Sequence, residues 1–94
     1  MYTHVVMWKF NNDAIDSDKT KMVKLLLNLK KLISELMEIE VSLNSSNSVF
    51  SYDIILISKF VSFKDYEIYA EDRNHKEVVN FINSITDQKA VIDF

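Results

Sequence analysis

Four large aliphatic side chains follow one another in Ile54-Ile55-Leu56-Ile57, inside the longer stretch from Tyr52 to Phe60. Successive residues of a strand point to opposite faces, so a strand over these residues needs both faces out of water. In a small protein that requirement predicts a central strand of a covered sheet. The opening segment makes the same demand. A strand over Thr3–Phe10 puts His4, Val6, Trp8 and Phe10 on one side and Val5 and Met7 on the other, then reaches Asn11-Asn12-Asp13, where side chains favour a turn.

Between these strands the apolar period changes. Met22, Val23, Leu26, Leu29, Ile33, Leu36 and Met37 recur at three- and four-residue steps, which predicts one long helix from Ser17. Asp16 or Ser17 is suited to cap it, and Asp18 places negative charge at the positive end of its dipole. Lys19, Lys21, Lys24, Lys30 and Lys31 fall mostly off the stripe and read as a solvated face. Ile39, Val41 and Leu43 alternate with polar neighbours, predicting a strand before the polar loop Asn44–Ser48. Ser62 followed by Asp65 opens a short helix carrying Phe63, Tyr66 and Tyr69. Asn74 followed by Glu77 opens another before Val78, Val79, Ile82 and Ile85, with a break near Asp72-Arg73-Asn74. Gln88–Phe94 reads as a closing strand.

The order β, α, β, β, α, β is that of a split βαβ: an α+β protein of ferredoxin-like type, one domain over residues 1–94, with both helical layers on one face of an antiparallel sheet. The other face, with Val5, Met7, Ile55 and Ile57, is too apolar for water. Burial of each such side chain is worth about 1.5–3 kcal/mol, so a homodimer packed sheet to sheet is expected.

Composition narrows the function classes. The 94 residues hold no cysteine, which removes disulfides, thiolate nucleophiles and cysteine-bound metals, and an intracellular, cytoplasmic location is the default expectation. Fourteen acidic against eleven basic residues give a net charge of −3, with no electrostatic footprint for nucleic acid. No apolar stretch approaches the roughly 18–20 residues of a membrane span, and the first ten residues lack the basic start of a signal peptide.

The segments His4-Val5-Val6-Met7-Trp8-Lys9-Phe10 and Tyr52 to Phe60, the pair Tyr69 and His75, and the ending Val91-Ile92-Asp93-Phe94 together resemble the stress-responsive dimeric alpha/beta barrel family, often called Dabb. The resemblance implies a ferredoxin-like protomer whose sheet pairs with a second copy to close a barrel. Arg73-Asn74 stand where the family usually has a proline, and Ser42-Leu43-Asn44 where it has a glycine. The family includes olivetolic acid cyclase, a plant enzyme of polyketide aldol cyclisation. There a histidine and tyrosine pair does acid–base work in a cavity between sheet and helices. Carried over by position, the resemblance assigns that pair to His75 and Tyr69, matches His4 to a further histidine, and finds Ile54 where the cyclase has a fourth polar residue.

The residues themselves allow the same chemistry without demanding it. A histidine such as His75 is the natural general base near neutral pH, and Tyr69 could hold or protonate a carbonyl oxygen. His4 is either a structural histidine that orients the second helical layer or part of a pocket wall. Trp8, Phe10, Leu56, Phe63 and Tyr66 either line an apolar cavity or fill the core. The candidate site is therefore His75 and Tyr69 as catalytic groups, with His4, Trp8, Ile54, Leu56 and Tyr66 around a ligand. The expected ligand is small and apolar, such as an aromatic carbonyl compound. Nothing has the spacing of a metal set, phosphate loop or redox-cofactor fingerprint, so no cofactor is expected. Two other readings share these residues: a non-catalytic stress-associated or assembly dimer, and a cofactor-independent monooxygenase, which Trp8 permits.

Overall fold

The computed structural model describes residues 1–94, in the order β1 (Tyr2–Phe10), α1 (Asp16–Leu32), β2 (Glu38–Leu43), β3 (Ile54–Phe60), α2 (Phe63–Glu71), α3 (Arg73–Ile85) and β4 (Thr86–Asp93). The strands form one antiparallel sheet in the order β2-β3-β1-β4, the ferredoxin-like arrangement. The aliphatic run is in β3 and the opening segment is β1, and these two occupy the centre. Along β3, Ile54, Leu56, Ser58 and Phe60 are buried while Ile55, Ile57 and Lys59 are half-covered. Val6 sits opposite Leu56 and Trp8 opposite Ile54, and these four share one core with Met22, Leu26 and Leu29 of α1 and Val78, Ile82 and Ile85 of α3. All helices therefore lie on a single face.

The opposite face is bare in the protomer. Its central columns are Val5 and Met7 of β1 and Ile55 and Ile57 of β3. Register adds Ala90 and Ile92 from β4 and the polar Glu40 and Ser42 from β2. Ile92 is 65% exposed, a large cost for a strand aliphatic left in water.

Several boundaries differ from the sequence-based expectation. The long helix stops at Leu32, not Met37. Ile33 and Leu36 are still buried, but Ile33 is already extended and the Met37 N–H donates to the carbonyl of Lys59 at 2.9 Å. Sheet pairing thus claims residues whose spacing also fits a helix. Neither Asp16 nor Ser17 caps α1: the cap is Ile15, whose N–H donates to the Asp18 carboxylate at 3.2 Å. At α3 the cap is Asp72 rather than Asn74, its Oδ1 accepting the Asn74 N–H at 2.8 Å. The closing strand starts at Thr86, with no loop after α3. It is prolonged by Phe94, whose N–H and C=O both pair with Thr3.

The chain turns everywhere without a positive φ angle, consistent with its lack of glycine. After β2 the turning is done by Asn44. Its Nδ2 donates to the carbonyl of Tyr52 at 2.6 Å and its Oδ1 accepts the Ser46 N–H at 2.8 Å, closing the base of the loop. No helix is long and apolar enough to cross a membrane.

Leu29 is wholly buried between α1 and the sheet. Leu29→Ala should destabilise the fold by about 2–5 kcal/mol in chemical denaturation, whereas the neighbouring exposed Lys30→Ala should stay within about 0.5 kcal/mol of wild type.

Candidate functional site

A cavity of about 260 Å³ lies between the sheet and the helices. Val6, Trp8 and Leu56 form its floor, Leu26, Val78 and Ile82 much of its roof, and Val91 and Lys89 its β4 side. Its polar apparatus is His4, Tyr66, His75 and Lys89. Walls of this kind, apolar with a few polar anchors, are the general form of a small-molecule site.

His75 owes its placement to the break between α2 and α3. Asn74 would be the helical partner of the Ala70 carbonyl, but it gives its N–H to Asp72 instead. His75 Nδ1 then lies 3.2 Å from the Ala70 carbonyl oxygen. A carbonyl can only accept, so Nδ1 carries the proton and the neutral ring keeps its lone pair on Nε2. Burial pushes the His75 pKa below its ordinary 6.5. The Ala70 bond and the nearby Asp72 carboxylate oppose this, while His4 and Lys89 add to it. His75 is thus a neutral imidazole with one nitrogen anchored and the other available as a base.

His4 is held differently from the sequence-based expectation that it orients the second helical layer. Its Nδ1 bonds the Asp93 carboxylate, and Asp93 sits directly opposite it on β4. Tyr66 packs its ring 4.8 Å from that of His4, and burial, followed by the charge of Asp93, raises its pKa above the ordinary 10.0. Tyr66 therefore brings a neutral phenol to the cavity wall.

Tyr69 is placed otherwise. It is fully buried, is not on the cavity wall, and its hydroxyl has no hydrogen-bond partner. Burial drives its pKa far above the ordinary value, so it stays a neutral phenol. Its ring packs 4.3 Å from that of His75 and 5.0 Å from that of Phe60, forming a wedge behind the histidine. Ile54 is also off the cavity wall. It is 2% exposed and edges a separate depression with Met7, Leu43 and Tyr52. Of the candidate residues, the structure therefore brings His75, His4, Trp8, Leu56 and Tyr66 together, with Tyr69 behind and Ile54 apart. Sequence reasoning missed Lys89 as part of this wall and Asp93 as the partner of His4. Strand alternation puts both on the face of His4, but only once the β1–β4 register is known. No three His, Asp or Glu side chains converge as a metal-ligand set.

The model of the Stress responsive A/B Barrel Domain family, Dabb, matches the chain over residues 2–94. The chain belongs to that family. As a Dabb domain it is similar to a dimeric protein of unknown function and ferredoxin-like fold from Bacteroides fragilis. The identity is 25%, the TM-score is 0.82, and 99% of this chain and 93% of that one are covered. A protein of Arabidopsis thaliana superposes with a TM-score of 0.90 at 22% identity, over 100% of this chain and 93% of that one. A Dabb family protein with a ferredoxin-like fold from Mesorhizobium loti does so at 0.77 and 15% identity, over 99% and 93%. Among curated proteins no sequence matches this Dabb domain.

Two outcomes follow from the site's energetics. Tyr69→Phe removes a buried hydroxyl without a partner while keeping the ring, and should raise stability by about 1 kcal/mol in denaturant melts. The lowered pKa of His75 means the unfolded chain takes up that proton first. Stability should therefore hold above pH 6.5 and fall as the pH drops from 6.5 to the lowered folded-state value. In thermal melts against pH, His75→Gln should flatten the curve across that window.

Proposed function

We propose that this Dabb domain works as a homodimer packed through its bare sheet face, with a small-molecule site in the cavity of each protomer. The observation that carries the site is His75, whose anchored Nδ1 leaves a neutral, basic Nε2 on an apolar cavity wall. Such a group, unprotonated at neutral pH, is able to take a proton from carbon next to a carbonyl. Tyr66, a neutral phenol lining the same cavity, donates a hydrogen bond to the oxygen on which the enolate charge develops. Tyr69 acts as a positioning residue, fixing the His75 ring from behind. His4, locked by Asp93, with Trp8 and Leu56, shapes the ligand's apolar bed.

The substrate class is then a small apolar or aromatic carbonyl compound with an enolisable C–H, and the reaction is proton abstraction without a cofactor. The family resemblance assigns acid–base work to His75; Tyr69, its expected partner, lies off the cavity wall, and in this reading Tyr66 supplies the phenol instead. The dimer is supported by the apolar columns of Val5, Met7, Ile55, Ile57 and Ile92, and by the dimeric relative from Bacteroides fragilis. A cysteine-free chain suits the cytoplasm, the location proposed for it.

The two histidines make the test direct. Addition of 2-acetonaphthone should shift the imidazole NMR signals of His75, and the protein should speed deuterium exchange of the ketone's methyl protons in D2O. His75→Ala should lose that acceleration while remaining a dimer in sedimentation. Unmoved histidine signals across a panel of aromatic ketones would overturn the site and leave the dimer as the working form. For the interface, Ile57→Lys should dissociate or misfold the protein, and a stable wild-type monomer at micromolar concentration would overturn it.

A further inference from the structure

Lys89 enters the cavity wall from the edge strand β4, opposite Trp8, and shares that wall with His4 and His75. It belongs to none of the protein's ion pairs. No acidic residue lines the cavity, and the carboxylate next to it, Asp93, is already engaged by His4. The space thus has apolar walls, a basic nitrogen at His75 and one uncompensated cation at its edge. A cation at the rim of an apolar pocket, with no carboxylate of the protein to answer it, is electrostatically complementary to a bound anion. At about 260 Å³ the cavity is slightly below the roughly 300–1,000 Å³ usual for drug-sized ligands, which limits the occupant to a compact molecule.

We propose that Lys89 is the specificity residue of this cavity, selecting small apolar carboxylic acids by pairing with their carboxylate while the hydrocarbon or aromatic part fills the space toward Trp8 and Leu56. This rests on the small-molecule reading above and narrows its substrate class from carbonyl compounds in general to those bearing an acid group. In such a complex the acid end lies at the β4 edge, and the ligand's far end reaches inward under α3. Lys89 acts through the ligand's charge and takes no part in moving the proton that His75 would accept. Only one charge on the ligand is answered, so a dicarboxylate would leave its second charge on apolar walls and be excluded.

The test compares two ligands of nearly the same shape, 2-naphthoate and 2-acetonaphthone, by titration calorimetry at pH 7.5 on the full chain. The wild type should bind the acid at least 10-fold more tightly than the ketone, and raising the salt concentration from 0.05 to 0.5 M should shrink that ratio. Lys89→Met should bring the ratio close to one, and Lys89→Arg should retain most of it. Lys89 is exposed, so these variants should fold as the wild type does, which circular dichroism checks. Equal binding of acid and ketone by the wild type, or an acid preference that survives Lys89→Met, would overturn the assignment of Lys89 and leave the cavity reading standing. Binding of neither ligand would overturn both.

Discussion

Everything in this protomer depends on the two central strands having no face that belongs in water. Along β1 and β3 the side chains alternate between two apolar sets: Val6, Trp8, Ile54 and Leu56 on one side, Val5, Met7, Ile55 and Ile57 on the other. The first set is answered within the chain, because α1 and α3 lay Met22, Leu26, Leu29, Val78 and Ile82 across it. The second set has no answer in the same chain. A domain of this size has one helical layer to spend, and using it on one face fixes where a second molecule has to come.

The same division explains the position of the cavity. The helical layer covers the central strands β3 and β1 closely but reaches the edge strand β4 thinly, so Val91 is nearly half exposed on the side that faces the helices. The break at Asp72 helps to set this. It ends α2 after Glu71, restarts the helix with Asp72 as cap, and turns His75 back to the Ala70 carbonyl. A single short interruption thus caps a helix, anchors an imidazole and leaves its second nitrogen free. In a continuous helix the Ala70 carbonyl would take its bond from Asn74, and His75 would have no such anchor.

Much of the fold was readable in the residues because its signals are local. The aliphatic run at Ile54–Ile57, the period of Met22, Leu26 and Leu29, and the break near Asp72 each state their element within a few residues. Readings failed where two partners compete for the same segment. Ile33, Leu36 and Met37 fit a helix by spacing, yet the carbonyl of Lys59, distant in sequence, takes the Met37 N–H into the sheet. The site was legible only in part for the same reason. His75, His4, Trp8, Leu56 and Tyr66 do converge, but the surroundings of Tyr69 and Ile54 are set by packing depth, and those of Lys89 and Asp93 by strand register. Neither quantity is written in a single segment.

The absence of any left-handed residue along the backbone has an evolutionary reading. Proteins that turn on glycine are tied to it, since a side chain at such a position strains the loop. Here the loop after β2 is closed by the Asn44 side chain and by serine hydroxyls, and every φ angle along it is open to ordinary residues. The loops that rim this domain can therefore drift in sequence with little penalty from backbone geometry, and the two sides of the sheet can be remodelled for new contacts while the four strands and three helices stay as they are.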